Sequence, residues 1–113
     1  MLLAAALLAL QSPPAAMAAR PEVDAARAQL IAWIEARIVL PPGAAPLESY
    51  ERLYAERDNG EIVALYRRSD RPGRRWIGYV DLPLVLDGGC AFIDVRVSAD
   101  PAAPIHAECH GEA

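Results

Sequence analysis

Lysine is absent from this 113-residue chain, and all eleven of its basic residues are arginine. Schiff-base catalysis and the phosphate-cradling P-loop both need the lysine amine, so neither is open to it. Also missing are G-x-S-x-G, H-E-x-x-H and C-x-x-C, the spacings of a serine-hydrolase elbow, a zinc-protease helix and a thiol redox pair. Ser49, Ser69 and Ser98 stand in no nucleophile context. Nor is there an excess of positive charge. The net charge is -4 at pH 7, whereas general nucleic-acid binding needs a basic surface that displaces counterions from phosphates. No apolar run reaches the roughly 20 residues a helix needs to cross a bilayer core.

What is present is the composition of a globular protein. Hydrophobic residues make up 54% and charged residues 23%, while disordered chains are poorer in apolar groups and richer in net charge. The length has room for one domain. Residues 2–10 are all Leu or Ala, Gln11-Ser12-Pro13-Pro14 breaks the run, and Ala16-Met17-Ala18 supplies an A-x-A cleavage site. The pattern predicts a cleavable signal peptide over 1–18 and a single mature domain over 19–113, of about 95 residues. With no Lys or Arg in the n-region, either the N-terminal amine supplies its charge or the true start lies upstream of Met1. Translation from Met17, without a signal, is the alternative. No Cys adjoins the expected cut, so no lipid anchor is expected. The expected location is periplasmic or secreted, with no membrane span after signal removal.

In an oxidising compartment Cys90 and Cys109 have one intramolecular pairing open to them. If 90–97 and 105–109 are the arms of a hairpin around Ser98-Ala99-Asp100-Pro101, the two sulfurs belong to residues that face each other. A bridge there closes a loop of about 20 residues and adds about 3 kcal/mol through the unfolded state. For so small a domain that is a large share of the total. The rival use, a Cys109-His110 nucleophilic pair, meets the objection that neighbouring strand residues point to opposite faces.

Over 21–40 the apolar residues Val23, Ala26, Leu30, Ile34 and Ile38 recur at steps of three and four, with Arg27, Glu35 and Arg37 among the intervening positions. That periodicity predicts a helix. Pro21 suits its first position, Glu22 and Asp24 complement the positive dipole end, and Pro41-Pro42-Gly43 stops it. Trp33, beside the stripe, reads as core or core edge. Pro46 opens a short helix before the chain turns extended near Arg52. Asn59-Gly60 predicts a two-residue type I′ turn joining strands 52–57 and 61–68, with Tyr54 facing Leu65 and Leu53 facing Tyr66. Ser69-Asp70-Arg71-Pro72-Gly73 is a second turn, followed by a strand over 75–82 and an apolar connection, Leu84-Val85-Leu86. Asp87-Gly88-Gly89 then turns into the Cys90 strand, where Ile93, Val95 and Val97 share one face and Cys90, Phe92, Asp94 and Arg96 the other. The expected fold class is α+β: one N-terminal helix packed on a four- or five-stranded antiparallel meander, with one disulfide. Cystatin-like domains share that outline in architecture alone.

Three constellations bear on function. Arg67, Arg68, Arg71, Arg74 and Arg75 bracket the second turn with Asp70 as the single acid among them, and Trp76 adjoins. Guanidinium forks of this density suit an anion patch that meets an acidic envelope protein or an anionic envelope polymer. The plainer account is a solvated hairpin tip whose charges discourage edge pairing. Asp81, Asp87, Gly88 and Gly89 form a candidate turn or loop site, and Asp94 converging with the two aspartates would suit acid–base work, although Asp87 before two glycines already suits a turn. His106, Glu108 and His110, completed by Asp94 or Asp87, could be drawn as a metal site, but on a strand the two imidazoles stand about 13 Å apart. No cofactor, metal ligand set or catalytic residue is assigned.

Trp76, Asp81-Leu82-Pro83, Asp87-Gly88-Gly89-Cys90 and the closing Cys109-His110-Gly111-Glu112-Ala113 resemble a group of small exported bacterial proteins of unassigned function. Those tend to end in Cys-Asn-Gly, and this chain departs from them at His110. The resemblance covers about half of the mature chain. It implies an exported single domain with one disulfide and carries no activity. The function expected from the whole sequence is a non-enzymatic periplasmic or secreted binding module. An inhibitor of an envelope or extracellular hydrolase, entering a cleft with the loop over 81–89, is the alternative within binding. A small hydrolytic or metal-dependent enzyme is the alternative outside it.

Overall fold

The computed structural model describes residues 21–111; the signal segment expected over 1–18 lies outside them. A boundary between two compact units falls inside the helix, after Leu30, and the sheet belongs to the second unit, which begins at Ile31. Among the described residues there is one α-helix, α1 (Pro21–Arg37), which stops three residues short of the expected end. The Ile38 amide still donates to Ile34 O at 2.8 Å. The expected apolar stripe is rotated: Ile31 and Ile34 are buried, Leu30 and Ile38 half-buried, and Ala26 exposed. This rotation brings Glu35 onto the packed side. As predicted, a short helical element follows Pro46, a single 3-10 turn over Leu47–Ser49.

Five strands follow: β1 (Tyr50–Glu56), β2 (Ile62–Arg68), β3 (Gly73–Trp76), β4 (Phe92–Val97) and β5 (His106–Cys109). They form one sheet in the order β3-β1-β2-β4-β5, and β3 runs parallel to β1. The fold is therefore α+β with a mixed sheet, which corrects the antiparallel meander. The reason lies in what each strand offers. β4 brings Ile93, Val95 and Val97, all buried, and takes the place beside β2. β3 brings Gly-Arg-Arg-Trp, largely exposed, and is left at an edge, where charge also discourages pairing with other chains. Nor does β3 continue to Leu82 as expected. Its last ladder bond is Ile77 N to Tyr54 O, after which Asp81 N to Gly78 O and Leu82 N to Tyr79 O wind the chain into a 3-10 turn, Tyr79–Asp81.

Two registers also differ from expectation. β1 and β2 pair Leu53 with Leu65 and Tyr54 with Ala64, one residue away from the predicted match. A type I′ turn needs positive φ at Asn59, and no described non-glycine residue has it. Instead Gly60 N donates to Arg57 O at 3.0 Å and Arg57 N to Glu61 O at 2.8 Å, with Gly60 at φ 87°. The result is a three-residue loop with a left-handed glycine, and the added loop residue moves the register by one. β4 and β5 set Ile93 opposite Cys109, so the Cys pair is not a directly facing one. Cys90 lies in a 3-10 turn, Gly89–Ala91, ahead of β4. The disulfide forms nonetheless, with Cα atoms 4.5 Å apart, and joins turn to strand.

The pairings sort the sheet into two faces. Tyr50, Arg52, Tyr54, Ala64, Tyr66, Ile93 and Val95 share one, and the 31–37 part of α1 packs there. Glu51, Leu53, Leu65, Arg67, Asp94 and Glu108 share the other. The chain from β3 to β4 must pass from one side of the β1-β2 pair to the other, and residues 77–91 do so as a strap across this second face. Leu53 and Leu65 are buried beneath it, at 1% and 3% exposure.

Candidate functional site

Beneath α1 lies a closed polar cluster. Glu35 Oε2 accepts from Arg52 Nε at 2.9 Å and from Tyr54 OH at 2.7 Å, and Oε1 accepts from Arg74 Nη1 at 3.0 Å. Arg52 Nη1 donates to Leu47 O and Tyr50 O, both at 3.0 Å. With the Tyr54 proton committed to Glu35, Tyr66 OH is the donor in its short hydrogen bond to Tyr54 OH. Burial pushes both phenols well above the ordinary tyrosine value of 10.0; for Tyr54 the neighbouring Tyr66 and Glu35 add to it. Glu35 and Arg52 are themselves 7% and 10% exposed. Both Glu35 oxygens, the Arg52 guanidinium and the two phenols are thus engaged with one another. The cluster is a structural lock between helix and sheet.

The other face is open. Between the strap and β2-β4-β5 lies a cleft of about 450 Å³, lined among others by Leu65, Leu82, Pro83, Asp94, Arg96 and Glu108. Asp94 and Glu108 are directly opposed across strands and both exposed. Arg57 at the margin is bound to Glu61 at 3.0 Å and lies over the Tyr79 ring, 5.6 Å from its centroid. The strap alternates in its exposure: Leu82, Pro83 and Val85 are half-buried, whereas Val80, Leu84 and Leu86 are 91%, 90% and 85% exposed. At its far end Gly89 N donates to Gly111 O at 2.8 Å, and the disulfide fixes the next residue.

The arginines of the expected anion patch are dispersed. Arg67 is bound to Glu51, and Arg75 lies 3.7 Å from the same carboxylate. Arg74 faces the opposite side of the sheet, at Glu35, and Arg68 lies over the Tyr50 ring at 5.9 Å. Arg71 stays exposed at the tip, and Trp76 is half-buried beside Tyr54 in the register. Asp81 and Asp87 are exposed on the strap, with Gly88 and Gly89 at φ 125° and 57°. A side chain at Gly88 would meet the Phe92 ring at 2.5 Å, so both conformation and space require glycine there.

Both cysteines are oxidised, which removes Cys109 as a nucleophile. Ser69 Oγ and Ser98 Oγ accept from the Arg71 and Asp100 amides and serve their turns. Among the described residues no three His, Cys, Asp or Glu side chains are grouped so as to hold a metal ion. His110, drawn from the sequence as one corner of a metal site, has a side chain 10% exposed, with Nε2 2.9 Å from Asp94 Oδ2. That approach is out of line for a hydrogen bond and leaves the buried nitrogen without one. The imidazole also packs edge-on against Phe92, centroids 6.0 Å apart. The signal in the sequence was the Phe92, Asp94, Glu108, His110 alternation, which places all four on one face once the β4–β5 register is known.

No protein-family model matches this chain, and no curated protein or solved structure matches it either.

Proposed function

We propose that the chain is a single-domain, non-enzymatic binding module of the periplasm or the extracellular space, and that it meets another protein through the strap. The observation that carries this reading is the exposure of Val80, Leu84 and Leu86 on one short segment beside an open cleft. Single exposed aliphatic residues are ordinary, but three on one short segment held at Ile77 and at Gly89 support a contact surface. The disulfide supports an oxidising compartment. Among the described residues no helix is long and apolar enough to cross a membrane. The resemblance to small exported bacterial proteins points the same way.

The test is capture from envelope extract by the chain and by its Val80→Ser/Leu84→Ser/Leu86→Ser variant. Partners retained by the first and lost by the second support the reading; identical captures overturn it. A second reading, inhibition of an envelope or extracellular hydrolase, draws on the same strap. Its half-buried Leu82 side and its anchorage at Gly89 and Cys90 are what a loop needs to enter a cleft without losing its shape. A captured partner whose hydrolase activity falls as the chain is added would favour that form.

A further inference from the structure

We propose that the partner presents a basic, apolar peptide segment to the strap and its cleft; this rests on the reading of that surface given above. Between Arg75 and Arg96 the sequence contains no basic residue, while Asp81, Asp87 and Asp94 are all acidic and exposed. Glu108 joins them across the β4–β5 ladder. Asp81, Asp87 and Glu108 enter no ion pair among the described residues, and the side chain that approaches Asp94 is His110, out of line for a hydrogen bond.

The directly opposed Asp94 and Glu108 repel each other in the isolated protein, because like charges facing across strands are destabilising. A cation supplied from outside relieves that repulsion. Of the arginines at the cleft, Arg57 is taken up by Glu61, and Arg96 lies two residues along β4 from Asp94 on the same face, opposite His106, so that one arginine stands against four carboxylates on this side of the sheet. The surface thus combines Leu84, Asp94 and Glu108 at the cleft with Val80, Leu86, Asp81 and Asp87 exposed along the strap, and its carboxylates outnumber its available arginine. Its complement is an apolar segment flanked by Lys or Arg. The same charge disfavours an anionic membrane or an anionic polymer on this face.

The test uses the purified chain and two fluorescent synthetic peptides of identical leucine spacing, one with lysine and one with glutamate at the remaining positions. The expected result is binding of the Leu/Lys peptide about ten-fold tighter than the Leu/Glu peptide at low salt, a preference that salt weakens. Asp94→Asn/Glu108→Gln should remove most of that preference, and Leu84→Ser/Leu86→Ser should weaken both peptides, with the melting temperature monitored so that folding is not the cause. Equal affinities, no binding of either peptide, or a preference that survives Asp94→Asn/Glu108→Gln overturns the inference. So does a concentration-dependent dimer that Leu84→Ser abolishes, which assigns the surface to a second copy. If partner capture from extract still depends on the strap in those cases, the contact surface stands and only the basic partner falls; if it does not, the surface falls as well.

Discussion

Glu35 is the residue on which three others depend. It compensates Arg52, a guanidinium enclosed between helix and sheet, and holds Tyr54 and Arg74 as well. Removing one member of a buried pair costs more than the pair contributes, since the survivor is left charged in a poor solvent. Glu35→Gln should therefore destabilise the protein by about 3–5 kcal/mol in denaturant unfolding. A loss well under 1 kcal/mol would mean that Arg52 finds water instead. Tyr54 and Tyr66 add a pH dependence. In the unfolded chain both ionise near 10.0, and in the folded protein both are held higher by burial. Their stabilisation is thus complete below pH 10 and is lost as the pH rises above it, by about 1.4 kcal/mol per pH unit for each tyrosine. Ultraviolet titration should show Tyr54 and Tyr66 ionising only as the protein unfolds, and Tyr66→Phe should reduce that alkaline slope. None of this network was legible in the sequence. Glu35 reads as one of the polar residues between apolar positions, and only the rotation of α1 and the parity of Arg52, Tyr54 and Tyr66 on their strands bring them together.

At the scale of elements, what could be read locally was read well, and what depended on competition between elements was not. The helix, a hairpin at Asn59-Gly60 and the buried face of Ile93, Val95 and Val97 each follow from a few neighbouring residues, and the Cys90–Cys109 bond from the presence of two cysteines, whereas the type I′ turn and the facing cysteine register did not form. The position of β3 does not, because it depends on β4 being the more apolar neighbour for β2. The hairpin illustrates how small a difference matters: Gly60 alone takes the left-handed conformation, and the whole β1–β2 register follows. Gly60→Ala should cost about 1–2 kcal/mol through backbone strain, since the nearest side chain leaves room for a methyl group. Asn59→Ala should cost less, its side chain contributing one exposed hydrogen bond to the Glu61 amide. Reduction of the disulfide should lower stability by about 3 kcal/mol, with the loss seen first in the exchange of β5 amides.

Across the unit that begins at Ile31, one side of the sheet is locked under residues 31–37 of α1 and the other is crossed by a strap that is half anchor and half display. Val80→Ser/Leu84→Ser/Leu86→Ser should leave stability within about 0.5 kcal/mol of the parent, because those side chains already lie in water. The expectation of a contact loop near 81–89 was available from the sequence through Pro83 and the glycines. Which of its aliphatic side chains face outwards was not, since that depends on Leu82, Pro83 and Val85 settling against Leu65 and its neighbours.

The strap's course also separates what the disulfide links from what it does not. Cys90 and Cys109 both lie downstream of Leu84 and Leu86, so the bond secures the C-terminal strands to each other and leaves the upstream half of the chain joined to them by that one covalent thread. A single proteolytic nick in the exposed stretch would yield two fragments that remain assembled through β2–β4 pairing in native buffer. They should part on a denaturing gel even without reductant, and a band that stays whole there would show that the thread had been shielded from the protease.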